Sequence, residues 1–172
     1  MMEGLARGIR NGTMRRWWVL TAFFLLASAN AVSADQVMER IEINTTPDKA
    51  WSAIGDFCGI KNWHPSIASC EFQNAITADV RILTTKEGGK FVEQATYWND
   101  QTHAYSYRNL QSPLPVENYT STIRVLPIDS GKVNIVWISS YKPIGPAAKA
   151  KSLVSETYST GLKTLKGQLE SR

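Results

Sequence analysis

The chain has 172 residues, 43% of them hydrophobic, with two cysteines and a formal net charge of +4. That is enough chain for one domain with a real core. The charge does not support nucleic-acid binding, because much of it comes from four arginines before residue 17.

Arg7, Arg10, Arg15 and Arg16 precede an apolar run, Trp17 to Leu26, and small residues lead to Val32-Ser33-Ala34. A basic start, a short apolar stretch and a small-x-small exit describe a secretory signal peptide cleaved after Ala34. The run is short for a membrane span, and an uncleaved anchor is the rival reading. Arg15-Arg16 fits a twin-arginine signal poorly in this setting, so ordinary export is expected. Cleavage removes the four arginines and Glu3, which brings the net charge from +4 to +1. Residues 35–172 then form the single mature domain, with no stable membrane anchor. Lys149, Lys151, Lys163 and Lys166 bias the last helix towards basic, as a solvated face would. Cys58 and Cys70 would meet an oxidising compartment, either as a disulfide or as two buried thiols.

Gln36 to Ile43 alternates as a strand, with Val37, Glu39, Ile41 and Ile43 on one side. Thr45-Thr46-Pro47-Asp48 starts a helix, through a hydroxyl cap, a proline in the first turn and an acid at the positive end of the dipole. Ala50, Trp51, Ile54 and Phe57 recur at helical spacing. Gly59 breaks the run, and Trp63-His64-Pro65 leads into a strand over 67–73. Strands follow at 80–86, 90–98 and 103–110, with turns at Gly88-Gly89 and Asn99-Asp100. Two longer strands, 117–126 and 132–141, join through Asp129-Ser130-Gly131. Pro143, Gly145 and Pro146 end the sheet. A last helix carries Ala150, Leu153, Val154, Thr157, Gly161, Leu162, Leu165 and Leu169 as one stripe. Strands in sequence followed by one long helix predict a curved antiparallel α+β domain that grips the helix, with a cavity between them.

Short segments now align with a known pattern: Asp56-Phe57, Trp63-His64-Pro65, Cys70-Glu71, Val80-Arg81, Glu93, Tyr105-Ser106-Tyr107, 115–122 and Trp137. In order and spacing they resemble the START-like (SRPBCC) superfamily, in its bacterial polyketide cyclase/dehydrase and lipid-transport branch, nearest to exported MxaD-like members. The resemblance implies the helix-grip fold, with a seven-stranded antiparallel sheet around the C-terminal helix and two short helices after the first strand. It assigns no catalytic residue.

Hormone-binding relatives carry an acid like Glu93 inside, which implies that Phe91, Glu93, Ala95 and Tyr97 face inward. The same pattern implies that Arg81 faces outward, in a structural salt bridge. Alternation groups Tyr105, Tyr107 and Asn109 on one face of their strand and Tyr119, Ser121 and Ile123 on one face of the next, which Trp137, Ser139 and Tyr141 continue. The candidate ligand-binding set is therefore Trp63, His64, Glu93, Tyr97, Tyr105, Tyr107, Tyr119, Ser121, Trp137 and Tyr141. Such a wall suits an apolar ligand with one or two polar handles, although strand aromatics also serve simply as core. His64 is a hydrogen-bond gate, a general base or a structural residue. Cys58, His64, Cys70 and His103 match no zinc spacing, so no metal or cofactor is expected. The loops at Gly88-Gly89 and Leu114-Pro115-Val116 are the candidate gate.

Three functions fit. The first is a periplasmic carrier of a small hydrophobic ligand. The second is an accessory protein of a periplasmic redox enzyme such as methanol dehydrogenase. The third is a cyclase or dehydratase using Glu93 and His64.

Overall fold

The structure, a computed structural model, describes residues 34–171 apart from Ala75 and Ala78. The expected signal peptide, save Ala34, lies outside the described residues. Seven strands form one antiparallel sheet: β1 (Asp35–Ile43), β2 (Ile67–Phe72), β3 (Val80–Thr85), β4 (Lys90–Asn99), β5 (Ala104–Gln111), β6 (Val116–Asp129) and β7 (Lys132–Pro143). Their order is β1-β7-β6-β5-β4-β3-β2, so β1 closes on the last strand and the others follow as a meander. Two short helices, α1 (Pro47–Ile54) and α2 (Ile60–Trp63), fill the crossover from β1 to β2, and α3 (Ala147–Glu170) ends the fold. This is the helix-grip architecture.

Local chemistry sets these boundaries. The Thr46 hydroxyl accepts from the Lys49 amide at 3.3 Å and Pro47 opens α1, as a capped helix start requires. The helix stops at Ile54, three residues before Phe57, yet Phe57 still turns into the core. β6 runs beyond Leu126 through Pro127, where a register shift lets the strand continue without a proline amide.

Helix α3 buries Ala150, Val154, Tyr158, Gly161, Leu162 and Leu165. Leu153, Thr157 and Leu169 of the expected stripe are only half-buried. Ile43, Ile54, Ile123 and Ile135 are buried in the same core. Fully burying each such aliphatic side chain contributes about 1.5–3 kcal/mol. At its far end the helix is tied to β1: Lys166 donates to the Glu42 carbonyl at 2.7 Å, and the Asn44 amide donates to Glu170 at 2.9 Å. Among the described residues no helix is long and apolar enough to cross a membrane.

Candidate functional site

The interior contains a buried ion pair. Arg81 on β3 lies directly across from Glu93 on β4, so the two side chains share the inner face. Arg81 is fully buried and donates to Glu93 Oε2 from Nε at 2.7 Å and reaches it from Nη2 at 2.6 Å. Its remaining arm donates to the Phe57 carbonyl, and its guanidinium lies 3.9 Å over the Phe57 ring. The expectation of an outward Arg81 is therefore corrected, while its salt bridge stands. A buried carboxylate needs such a partner, and a guanidinium this deep must spend its donors on one. Burial pushes the Glu93 carboxyl above its ordinary range and the Arg81 charge pulls it back.

The turn that carries Phe57 is held by a disulfide. Cys58 and Cys70 are bridged, with Cα atoms 5.5 Å apart, which staples this turn to β2.

Beside the ion pair lies a hydroxyl network. Ser121 donates to the Ile138 carbonyl at 2.9 Å and accepts from Trp137 Nε1 at 3.1 Å. Since the Ser121 proton is used, the Tyr158 hydroxyl donates to Ser121 at 2.9 Å and Tyr119 donates in turn to Tyr158. Trp137 Nε1 also donates to the Tyr107 hydroxyl at 3.1 Å, and its ring stacks on Tyr158 with centroids 4.2 Å apart. Burial pushes the Tyr158 hydroxyl up to about 12, and those of Tyr107 and Tyr119 well above their ordinary value. All three stay protonated and neutral in any physiological medium.

Together Glu93, Tyr107, Asn109, Tyr119, Trp137 and Tyr158 line an inner cavity of about 30 Å³. That space holds about two waters, well short of the ~300 Å³ of an ordinary ligand pocket. The aromatic residues expected to wall a cavity largely fill it. A cleft of about 580 Å³ adjoins it and shares His64, Ile67, Phe91, Leu114 and Thr157 as walls. Gly89 and Pro113 also line this cleft, and a Cβ on Gly89 would stand 3.3 Å from the Pro113 side chain. The Gly88-Gly89 turn thus lies close to Pro113, the residue before the second candidate gate loop.

His64 sits where cleft meets cavity. Its Nδ1 accepts from the Ser66 amide at 3.2 Å, so Nε2 carries the proton and donates to the Thr157 carbonyl at 3.0 Å. Burial lowers its pKa, partly offset by the Thr157 bond. The ring packs so closely on α3 that a Cβ at position 161 would lie 2.4 Å from His64 Cδ2. Only glycine accommodates that approach.

Of the residues proposed from sequence, His64, Glu93, Tyr107, Tyr119 and Trp137 come together on the cavity wall. Trp63, Ser121 and Tyr141 are buried behind it, with Trp63 5.6 Å from Trp137 and Tyr141 stacked on Tyr119 at 6.1 Å. Tyr105 does not line the cavity: it stacks on Trp98 at 4.8 Å and lies 6.2 Å from the Tyr107 ring. Tyr97 is a correction: it points outward and is 49% exposed. The β4–β5 register shifts between Ala95 and Tyr97, which resets the alternation and brings Trp98, still partly solvent-exposed, against Tyr105 and Phe57. Tyr158 was not anticipated. It lies four residues after Val154 and four before Leu162, so the helical stripe already held its signal. Among the described residues no group of three or more His, Cys, Asp or Glu is placed to hold a metal ion.

Residues 34–170 match the model of the family described as polyketide cyclase / dehydrase and lipid transport. A comparison with curated protein sequences finds no match. Among solved structures, an uncharacterised protein of Bacillus thuringiensis is 29% identical, with a TM-score of 0.75 over 78% of this chain and 98% of its own. The protein XoxI of Bacillus cereus is also 29% identical, with a TM-score of 0.74 over 78% of this chain and 94% of its own. A START superfamily protein of Mycobacterium smegmatis shares the fold at 17% identity, with a TM-score of 0.68 over 79% and 97%. The matched residues show that the chain belongs to the polyketide cyclase / dehydrase and lipid transport family, and its fold is shared with the START superfamily protein.

Proposed function

We propose that the protein is exported to the periplasm and there binds or carries a small hydrophobic molecule. The observation that carries this reading is a small, mainly apolar inner cavity with a few polar groups, at the base of a larger cleft of mixed lining bordered by Gly89 and Pro113. The cleft has the volume of a ligand site, with Ile67, Phe91, Pro113, Leu114 and Leu153 among its walls. The chemistry supports binding over turnover. Glu93 is engaged by Arg81, and both His64 nitrogens are already bonded, so neither is free to move a proton for a substrate. Ligand entry needs the Gly88-Gly89 and Leu114-Pro115-Val116 loops to part.

Native mass spectrometry on protein purified from its own cells tests this. The expected result is a retained small molecule that is released on denaturation. Bare protein that co-purifies with a redox enzyme would instead favour the MxaD-like accessory role. Bare protein without a partner would remove the carrier reading.

A further inference from the structure

The hydrogen-bonding capacity left over in the cavity specifies the polar end of a ligand. Asn109 lines the cavity, and its side-chain oxygen is buried with no hydrogen-bond partner. Tyr107 accepts from Trp137, but its own proton has no acceptor among the described residues. In the chain of hydroxyls Tyr119 has spent its proton on Tyr158, which leaves it an acceptor. The buried unspent capacity lining this space is therefore the Tyr107 proton and two acceptors, the Asn109 oxygen and the Tyr119 hydroxyl. A buried acceptor left unmade costs more than a bond made there gains, so a guest that satisfies Asn109 is strongly preferred.

Charge narrows the choice. The charged residues that line cavity and cleft are Glu93, Glu87 and Glu156, all acidic. Arg81 stands behind Glu93, with Nε bonded to Glu93, one Nη bonded to the Phe57 carbonyl and the other, buried, in ion-pair contact with Glu93. An anion entering here would pass two carboxylates, meet a third, and find no free cation at the end. A ketone would take the Tyr107 proton but leave the buried Asn109 oxygen unpaired. A hydroxyl both donates and accepts.

We propose that the site selects an apolar molecule ending in an uncharged hydroxyl, an alcohol or phenol, that donates to Asn109 and accepts from Tyr107, and that it rejects carboxylates. This rests on the binding reading above and deepens it. The apolar body lies in the cleft against Phe91 and Leu114, and the hydroxyl occupies the cavity.

Three probes with one body separate the alternatives: β-naphthol, naphthalene and β-naphthoate, titrated calorimetrically against the purified protein near neutral pH. Naphthol is expected to bind about tenfold or more tighter than either of the others. Asn109→Leu is expected to reduce naphthol to the level of naphthalene and leave naphthalene binding unchanged. Because the Asn109 oxygen has no partner in the free protein, that variant should melt no lower than wild type, which separates lost recognition from lost folding. Naphthoate binding as tightly as naphthol, or a preference for naphthol that survives Asn109→Leu, would overturn the proposal. If none of the three binds while the protein is folded, the binding reading itself fails and takes this inference with it.

Discussion

Around Arg81 the interior is closed. Its guanidinium is paired with Glu93, capped by the Phe57 carbonyl and covered by the Phe57 ring. Trp51, Trp98 and Tyr105 pack outward from there, and Asp100 accepts from both indoles, at 2.9 Å from Trp51 and 3.2 Å from Trp98. Around Asn109, on the same sheet, the interior is left open: a buried oxygen unanswered, a tyrosine proton unspent, and a small cavity leading to a cleft. The difference separates two uses of buried polarity. Where charges answer one another the fold is held together. Where neutral groups remain unanswered, the protein keeps capacity for something it does not itself contain.

The closed region should break hardest. Arg81→Met strands Glu93 as an unpaired buried acid and should cost about 3–5 kcal/mol in urea unfolding. Arg81→Met combined with Glu93→Leu should recover most of that loss. A single-variant loss near the ~1 kcal/mol of an exposed pair would mean that Glu93 reaches water after all. Next in size is the staple beneath Phe57. Replacing Cys58 and Cys70 by alanine should cost about 2–3 kcal/mol by the same measurement, as expected for a bridge between cysteines 12 residues apart.

Two glycines of α3 sharpen the contrast from the open side. Gly161→Ala pushes a Cβ into His64 and Trp63 and should lower stability by about 1–3 kcal/mol. Gly167 has nothing within 4 Å of its Cβ position, so Gly167→Ala should instead gain about 0.5–1 kcal/mol. Equal thermal shifts for the two would show that His64 does not hold its place against the helix.

The smallest effect is one of pH. Burial, offset in part by the Thr157 bond, places the folded pKa of His64 below its unfolded value. The unfolded chain then binds the proton more readily. The stability His64 contributes is full above about pH 6.5 and declines as the pH falls through the lowered folded value. Urea unfolding across that window should show a steeper acid decline in wild type than in His64→Gln. Parallel profiles would mean that His64 titrates alike in both states.

The strands, the Thr46 cap and the closing helix were legible because each rests on a local period or a local bond. What was misread depends on distant partners. β3 offers apolar side chains on both faces, Val80 and Ile82 on one and Leu83 on the other, so alternation alone does not orient Arg81. Its orientation comes from Glu93 on the next strand. Tyr97 followed the alternation of β4 until the bulge, where two residues face one and the phase resets. Tyr158 is ambiguous in the sequence, because Thr157 completes a similar helical stripe one residue earlier. The Asn109 oxygen had no local signal. Its isolation depends on which side chains surround it in the folded cavity.

The most direct test is a crystal structure of the protein purified from its own cells without removal of bound molecules. The expected result is density in the cleft between Phe91 and Leu114, with a polar end within hydrogen-bonding distance of Asn109 and Tyr107. A cleft and cavity holding only water, in protein that also binds no added hydrophobic probe, would contradict the reading of this interior as a ligand site.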